Sequence, residues 1–398
     1  MARHSRDLPF WRSCEDPTHL ELSKVHLTPV FFCDIMLSLT GTITLISGLG
    51  LSSMTVKKRV TIRQVAKESE VSTQTVSRVI NHHPNVAPET RRRVLQVIDR
   101  LGYQPSSIAR SLIQGYSGTL GVVGYGLEYF GPSRTLSGVE QQANELGYSL
   151  LLSLMRQPEK NDVEQVLRDM FSRYVDGIIW AMPEIGNNRA WIRQGTPQLS
   201  VPIVFLSMQP HPNLSVVAVD NRRGGRMATE HLLDQGYQTI GLIAGPLDWW
   251  EARQRQLGWQ DALKEVITED HLVVEGDWTA ESGERGLRQL LEQCPDMDAV
   301  FVCNDQMALG VLQAARQMGI RVPEDLALVG FDDTPESAYF YPPLSTVRQD
   351  MVELGRCAVR ELGCMIEASQ QGRAVVESKA ILLQPQLVIR ESSVRERG

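Results

Sequence analysis

Between Leu120 and about Leu387 short apolar runs alternate with helical patterns, and no other feature of the chain restricts its fold as strongly. The runs, among them VDGIIWAM, AVFVCND and LALVGFDD, have the length and composition of strands. Between them lie stretches such as DVEQVLRDMFSRY and MALGVLQAARQM, whose apolar residues recur at the helical interval. Alternation of this length predicts parallel, doubly wound α/β sheets. Ligands of such sheets sit at the carboxyl ends of the strands, so the residues just after each apolar run are the candidate site.

A different pattern fills the stretch from Val60 to Leu112. Thr61 with Gln64 three residues later has the form of a capping box, and Ile62, Val65 and Ala66 supply an apolar face. After the turn Ser69-Glu70-Val71, Ser72 is placed to cap a second helix from Thr73 to Asn81. Its Val76, Val79 and Ile80 point inward, which leaves Thr73, Gln74, Ser77 and Arg78 outward. Those four offer short donors and acceptors, an amide suited to adenine and a guanidinium suited to guanine or phosphate. A third helix, from about Pro88 to Leu101, presents Val94, Leu95, Ile98 and Leu101 as a closing stripe. This predicts an all-α helix-turn-helix reading head over 54–104. Charge agrees with it, because residues 54–116 carry net +7 while the whole chain is −7. A basic block in an acidic protein suits a phosphate-facing surface.

The head is followed by Ser106 to Leu112, a capped helix too short to be stable without a partner or a groove. VSTQTVSRVIN and YQPSSIARSL together resemble the LacI/GalR family of transcriptional regulators. In that family hinge helices pair across a dimer and wedge a leucine into the minor groove, and the matching position is Leu112. The resemblance implies DNA contacts at Thr61, Ser72, Thr73, Gln74, Thr75, Ser77, Arg78, Asn81, Asn85, Thr90, Tyr103, Ser106, Ala109 and Leu112. One departure stands out in the head. Glu70 occupies the place of a turn glycine, and a left-handed conformation there would cost on the order of 1 kcal/mol.

GPLDWWEARQRQLGW, EGDWTAESG, CNDQMALG and GFDDTPESAYFYPPLSTVRQD extend the resemblance through the second half. It implies a periplasmic-binding-protein-like core of two Rossmann-like subdomains linked by three crossovers. The expected organisation is an extension over 1–53, the head, a hinge and linker over 105–117, a core over 118–390 and a charged tail over 391–398. Within the core, 118–217 with 349–376 form one subdomain and 218–348 with 377–390 the other. Sugar-contacting positions of the family fall on Arg255, Trp278, Asn304, Asp332 and Gln349. Arg and Asp can each engage neighbouring hydroxyls, and an indole face can stack on a sugar ring. Plainer readings stay open, with Trp278 in a core, Arg255 on a helix surface and Asp332 or Asp333 as a helix cap. In the first subdomain Ser207 replaces an Asp of the related pattern and Ala181 an Asn. Tyr125, Tyr129, Phe130 and Trp180 are expected to face the cleft there, which suits a larger or less polar glycoside.

Val30 to Leu51 is apolar enough to raise a membrane span, but Asp34, the glycines and the charged stretch before it argue against one. The extension therefore reads as non-native, an upstream start or disordered, with a membrane tether as the alternative. Six cysteines form no CxxC and no zinc-type cluster, so no metal is expected. Without GxGxxG, P-loop, HExxH or GxSxG, no cofactor and no catalytic residue is expected either. The reading is a cytoplasmic, non-enzymatic repressor of carbohydrate-utilisation genes. It would bind a palindromic operator in double-stranded DNA as a homodimer and respond to a sugar or glycoside effector. The tail lacks an apolar heptad, so assembly beyond a dimer is not expected. The alternatives are the same head with a nucleobase or protein corepressor, and a solute-binding protein.

Overall fold

The computed structural model describes residues 35–37, 42–47, 50–55, 60–81, 83–103, 116–156, 163–193, 200–264, 272–372 and 378–395. Contacts divide the chain into two compact units, 1–105 and 106–398. In the first unit β1 (Ile35–Leu37), β2 (Thr42–Ser47) and β3 (Gly50–Thr55) pair as an antiparallel sheet. An unstructured extension is thus not what these three segments form. No helix among the described residues is long and apolar enough to cross a membrane.

Helices Ile62–Glu68, Thr73–Ile80 and Pro88–Leu101 build the reading head. Gln64 Oε1 accepts from the Thr61 backbone N–H at 2.8 Å, and Ser72 Oγ accepts from Thr75 N at 3.1 Å. Both helix starts are therefore capped by their own sequence. The small core holds Val65, Ala66, Val76, Val79, Val94 and Val97. Leu95, expected in the third helix's inward stripe, is instead 46% exposed, and Val97 takes the buried place. Glu70 does adopt the left-handed turn conformation, with φ of 52°.

The second unit contains two six-stranded sheets. The first runs in the order β14 (Ala380–Leu383), β8 (Ser215–Val219), β7 (Ile203–Leu206), β6 (Gly177–Ala181), β4 (Thr119–Gly124), β5 (Ser149–Leu154), with all neighbours parallel. The second runs β10 (Val273–Glu275), β9 (Ile240–Ala244), β11 (Ala299–Val302), β12 (Ala327–Asp332), β13 (Ser345–Arg348), β15 (Gln386–Val388), parallel except for the last pair. Nearly continuous burial along β4, β8, β9, β11 and β12 is what helices on both faces produce.

The chain passes between the sheets after β8, after β13 and between β14 and β15, which makes three crossovers. One boundary expectation fails here. Residues 380–383 pair with Ser215–Val219 in the first sheet, so only the later part of 377–390 joins the second. A two-residue gap between β14 and β15 leaves nothing in local pattern to mark that switch. The expected tail also starts too early. Ser392 and Ser393 are fully buried, and the Ser392 hydroxyl accepts from Ser345 N at 2.8 Å and donates to Leu328 O at 2.7 Å.

Helix Asn221–Asp234 lies against helix Trp250–Leu263 with backbones nearly touching. A Cβ on Gly225 would fall 2.2 Å from the Arg255 carbonyl oxygen, and one on Gly258 would fall 2.1 Å from that of Arg222. Only glycine permits this approach, and it fixes the helix that carries Arg255.

Candidate DNA-reading surface and ligand cleft

The second helix of the head exposes Thr73, Gln74 and Arg78, with Ser72 and Asn81 exposed at its ends and Asn85 exposed beyond it. Ser77 and Thr75 are half-buried, and both take part in local bonds. The Ser72 and Thr75 hydroxyls lie 3.0 Å apart, while Asn81 Nδ2 donates to Ser77 Oγ at 3.4 Å. The Thr61 hydroxyl donates to Gln64 at 3.2 Å. Tyr103 packs against the head's core, and burial raises its phenol pKa. Thr90 is half-buried. Ser106, Ala109 and Leu112 lie outside the described residues.

In the second unit a cavity of about 420 Å³ is lined from both sheets. Its polar pole gathers the residues expected from the second half. Asp332 ends β12 with φ of 113°, 8% exposed, and its Oδ1 accepts from Gln349 Nε2 at 2.6 Å. Arg255 is 5% exposed, donates from Nε to Asn221 Oδ1 at 2.8 Å and from Nη1 to the Cys303 carbonyl. Its guanidinium lies 3.9 Å from the Phe331 ring and 5.4 Å from that of Trp278. Burial lifts the Asp332 pKa to about 6 despite the opposing pull of Arg255 and Gln349. Asn304 lines the cavity but acts mainly as a brace, its Oδ1 capping Met307 N at 2.8 Å and its Nδ2 donating to Trp278 O at 3.0 Å. Trp278 is held with φ of 70°, and its ring lies so close to Gly245 that a Cβ there would be 2.1 Å away.

The first subdomain meets expectation only in part. Ser207 lines the cavity, with φ of 51°. Tyr129 and Phe130 line it as well. Trp180 does not. It is fully buried beside Trp191 and Phe205, at 5.3 and 6.4 Å between ring centroids, because alternation along β6 sends it into the core and leaves Ala181 toward the cavity. Tyr125 is likewise not a lining residue; its ring lies 6.2 Å from that of Trp249.

Among the lining residues that escaped the sequence reading are Trp249 and Glu251. Trp249 joins Tyr129 and Trp278 edge-on at 5.8 Å each. Burial pushes the Glu251 carboxyl up to about 7, opposed by Arg255, Ser207 and Arg189. The available signal was position: Glu251 precedes Arg255 by one helical turn in the segment that follows β9.

A helix-turn-helix head joined to a two-sheet core with a ligand-sized cleft defines a class, the DNA-binding regulators built on a periplasmic-binding fold. Residues 61–106 match the family of bacterial regulatory proteins of the lacI type, and residues 229–393 match a periplasmic binding protein-like domain. The transcriptional repressor PurR of Haemophilus influenzae is 35% identical over 337 residues, 83% of this chain and 98% of the relative. A crystal structure of the lac repressor dimer bound to operator and the anti-inducer ONPF is similar with a TM-score of 0.77 and 32% identity, over 85% of this chain and all of the other. A complex of the regulator CelR with cellobiose is similar with a TM-score of 0.62 and 31% identity, over 84% of this chain and all of the other. The chain belongs to the LacI family; it is a transcriptional repressor and not an enzyme.

Proposed function

We propose that the protein binds a two-fold operator as a homodimer and that its grip on DNA is set by a sugar or glycoside held in the cleft. The observation that carries this reading is the cavity itself, where Asp332, Gln349 and Arg255 converge beside the Trp278 face between the carboxyl ends of two sheets. Carboxylate and guanidinium fit ring hydroxyls in fork geometry, and the indole fits the apolar face of a sugar ring. Cellobiose in the similar CelR complex is in keeping with a glycoside here. In the head, Thr73, Gln74 and Arg78 are the residues proposed to enter the major groove, with Asn81 and Asn85 at its margin. A ligand that touches both sheets favours one placement of the two subdomains, and operator affinity follows that population.

The test pairs ligand and DNA binding on the full chain. Thermal shift with glucose, galactose, ribose, cellobiose, lactose and hypoxanthine identifies the class, since a compound that binds only the folded state raises the midpoint. A response to hypoxanthine alone would replace the sugar by a nucleobase. Asp332→Asn keeps the shape of the side chain and removes a charge-assisted pair, so affinity for the active sugar should fall by about 1.5–3 kcal/mol. Gel shift on a duplex selected from random sequence should then show ligand-free DNA binding that no longer responds to the sugar. A variant as responsive as the parent would remove Asp332 from the site.

A further inference from the structure

The lining of the cleft is unevenly charged. It includes three carboxyl groups, from Glu128, Glu251 and Asp332, and one guanidinium, from Arg255. Arg255 has already committed Nε to Asn221 and one Nη1 hydrogen to the Cys303 carbonyl, which leaves the other Nη1 hydrogen and the two on Nη2 to offer. Acceptors are in surplus. Gln349 is 5% exposed with Oε1 enclosed and unpartnered, and Glu251 Oε2 is enclosed in the same condition. Each is an acceptor that no donor of the protein satisfies.

Glu251 is also fixed where it stands. The residues just before it cross to the first subdomain: Gly186 N donates to Asp248 O at 2.8 Å and Trp250 N donates to Glu184 O at 2.9 Å, with Ile185 and Trp249 paired between them. Trp250, 7% exposed, is buried in the first subdomain's core beside Met182 and Ile192. Arg189, the other buried cation nearby, does not line the cavity and has the Glu184 and Glu251 carboxyls as its charged neighbours. An anion in the cleft therefore meets the carboxyls of Glu128, Glu251 and Asp332 with one lining guanidinium, that of Arg255, to receive it.

We propose that Glu251 is a specificity-determining residue, by which the cleft takes donor-rich ligands that are neutral or carry an amine and refuses phosphorylated and carboxylated ones. This rests on the sugar reading above and narrows it. The aromatic faces of Tyr129 and Trp249 beside the carboxyl favour a protonated amine in the same direction.

The experiment uses the full chain at neutral pH and measures binding by calorimetry for glucose and galactose, each beside its amino sugar and its phosphate ester. In a series that binds, the amino sugar should bind at least as tightly as the parent and the phosphate ester at least about tenfold more weakly. Glu251→Gln keeps the size and should reduce the penalty on the phosphate ester several-fold and abolish any preference for the amino sugar, both read as ratios to the neutral sugar measured on the same variant. Circular dichroism and thermal unfolding report whether the variant has folded. A phosphate ester that binds as well as its parent overturns the proposal while the sugar reading stands. So does an unchanged ratio in Glu251→Gln. Binding of hypoxanthine with silence from every sugar overturns both, as does silence from every compound.

Discussion

Strain and buried charge concentrate in a few residues of the cleft. Ser207, Trp278 and Asp332 all have left-handed φ, a conformation that costs of order 1–3 kcal/mol where a side chain is present. The surrounding bonds, such as Asn304 Nδ2 to Trp278 O, hold them there. Asp305 lies behind Asp332, fully buried, accepting from Thr346 Oγ1 at 2.6 Å and from Thr334 N at 2.8 Å. Burial, with Asp332 adding to it, raises its pKa from 3.8 to about 8. The folded state thus keeps a proton that the unfolded chain releases. Stability from this group is complete below the unfolded value near 3.8 and is lost as pH rises through about 8. Asp332, raised to about 6, and Glu251, raised to about 7, act in the same direction. Asp305→Asn mimics the protonated form, with Nδ2 donating to Thr346 and Oδ1 accepting from Thr334. Thermal unfolding between about pH 5 and 9 should therefore decline less steeply in the variant than in the parent, and equal slopes would remove Asp305 as the source.

At the level of elements, the geometry of the cleft depends on how closely two helices approach. Gly225 and Gly258 let Asn221–Asp234 and Trp250–Leu263 touch backbone to backbone, and Arg255 projects from that contact to Asn221 and Cys303. Gly258→Ala puts a methyl 2.1 Å from the Arg222 carbonyl oxygen, so the helices must separate. Denaturant unfolding should show a loss of about 1–3 kcal/mol, typical of overpacking. Sugar affinity should fall with it, since the Arg255 guanidinium is displaced from the Asp332 side of the cleft. Unchanged stability and affinity would mean that the helix pair yields without cost.

For the whole molecule, specific and non-specific DNA binding should separate by residue. If the segment after the head wedges a side chain into the minor groove, Leu112→Ala should weaken binding to a selected operator. Binding to a scrambled duplex, set by phosphate contacts from the basic 54–116 region, should keep its affinity and its salt dependence. Filter binding on both duplexes tests this, and equal losses on the two would sink the hinge assignment.

Much of the molecule was legible before any coordinates. The alternation from Leu120 gave parallel sheets, Thr61 and Ser72 marked helix starts, and Asp332 after LALVGF announced a strand end facing a crevice. These are local patterns, in which a period or a cap is written in adjacent residues. Failures came wherever the outcome depended on partners distant in the chain. Trp180 and Ala181 are neighbours on one strand, and only packing against Trp191 and Phe205 decides which of them meets the cavity. Residues 380–383 look like those that follow them, yet their hydrogen bonds go to 216–219 of the other sheet. Trp249 and Glu251 became cleft residues because the backbone at 184–186 binds the segment at 248–250 across the two subdomains. The sequence by itself determined most of the elements, the family and the residues at the polar pole of the cavity. Which side chains share the cleft was decided by tertiary structure, because burial and charge there are sums over groups that meet only when both sheets are in place.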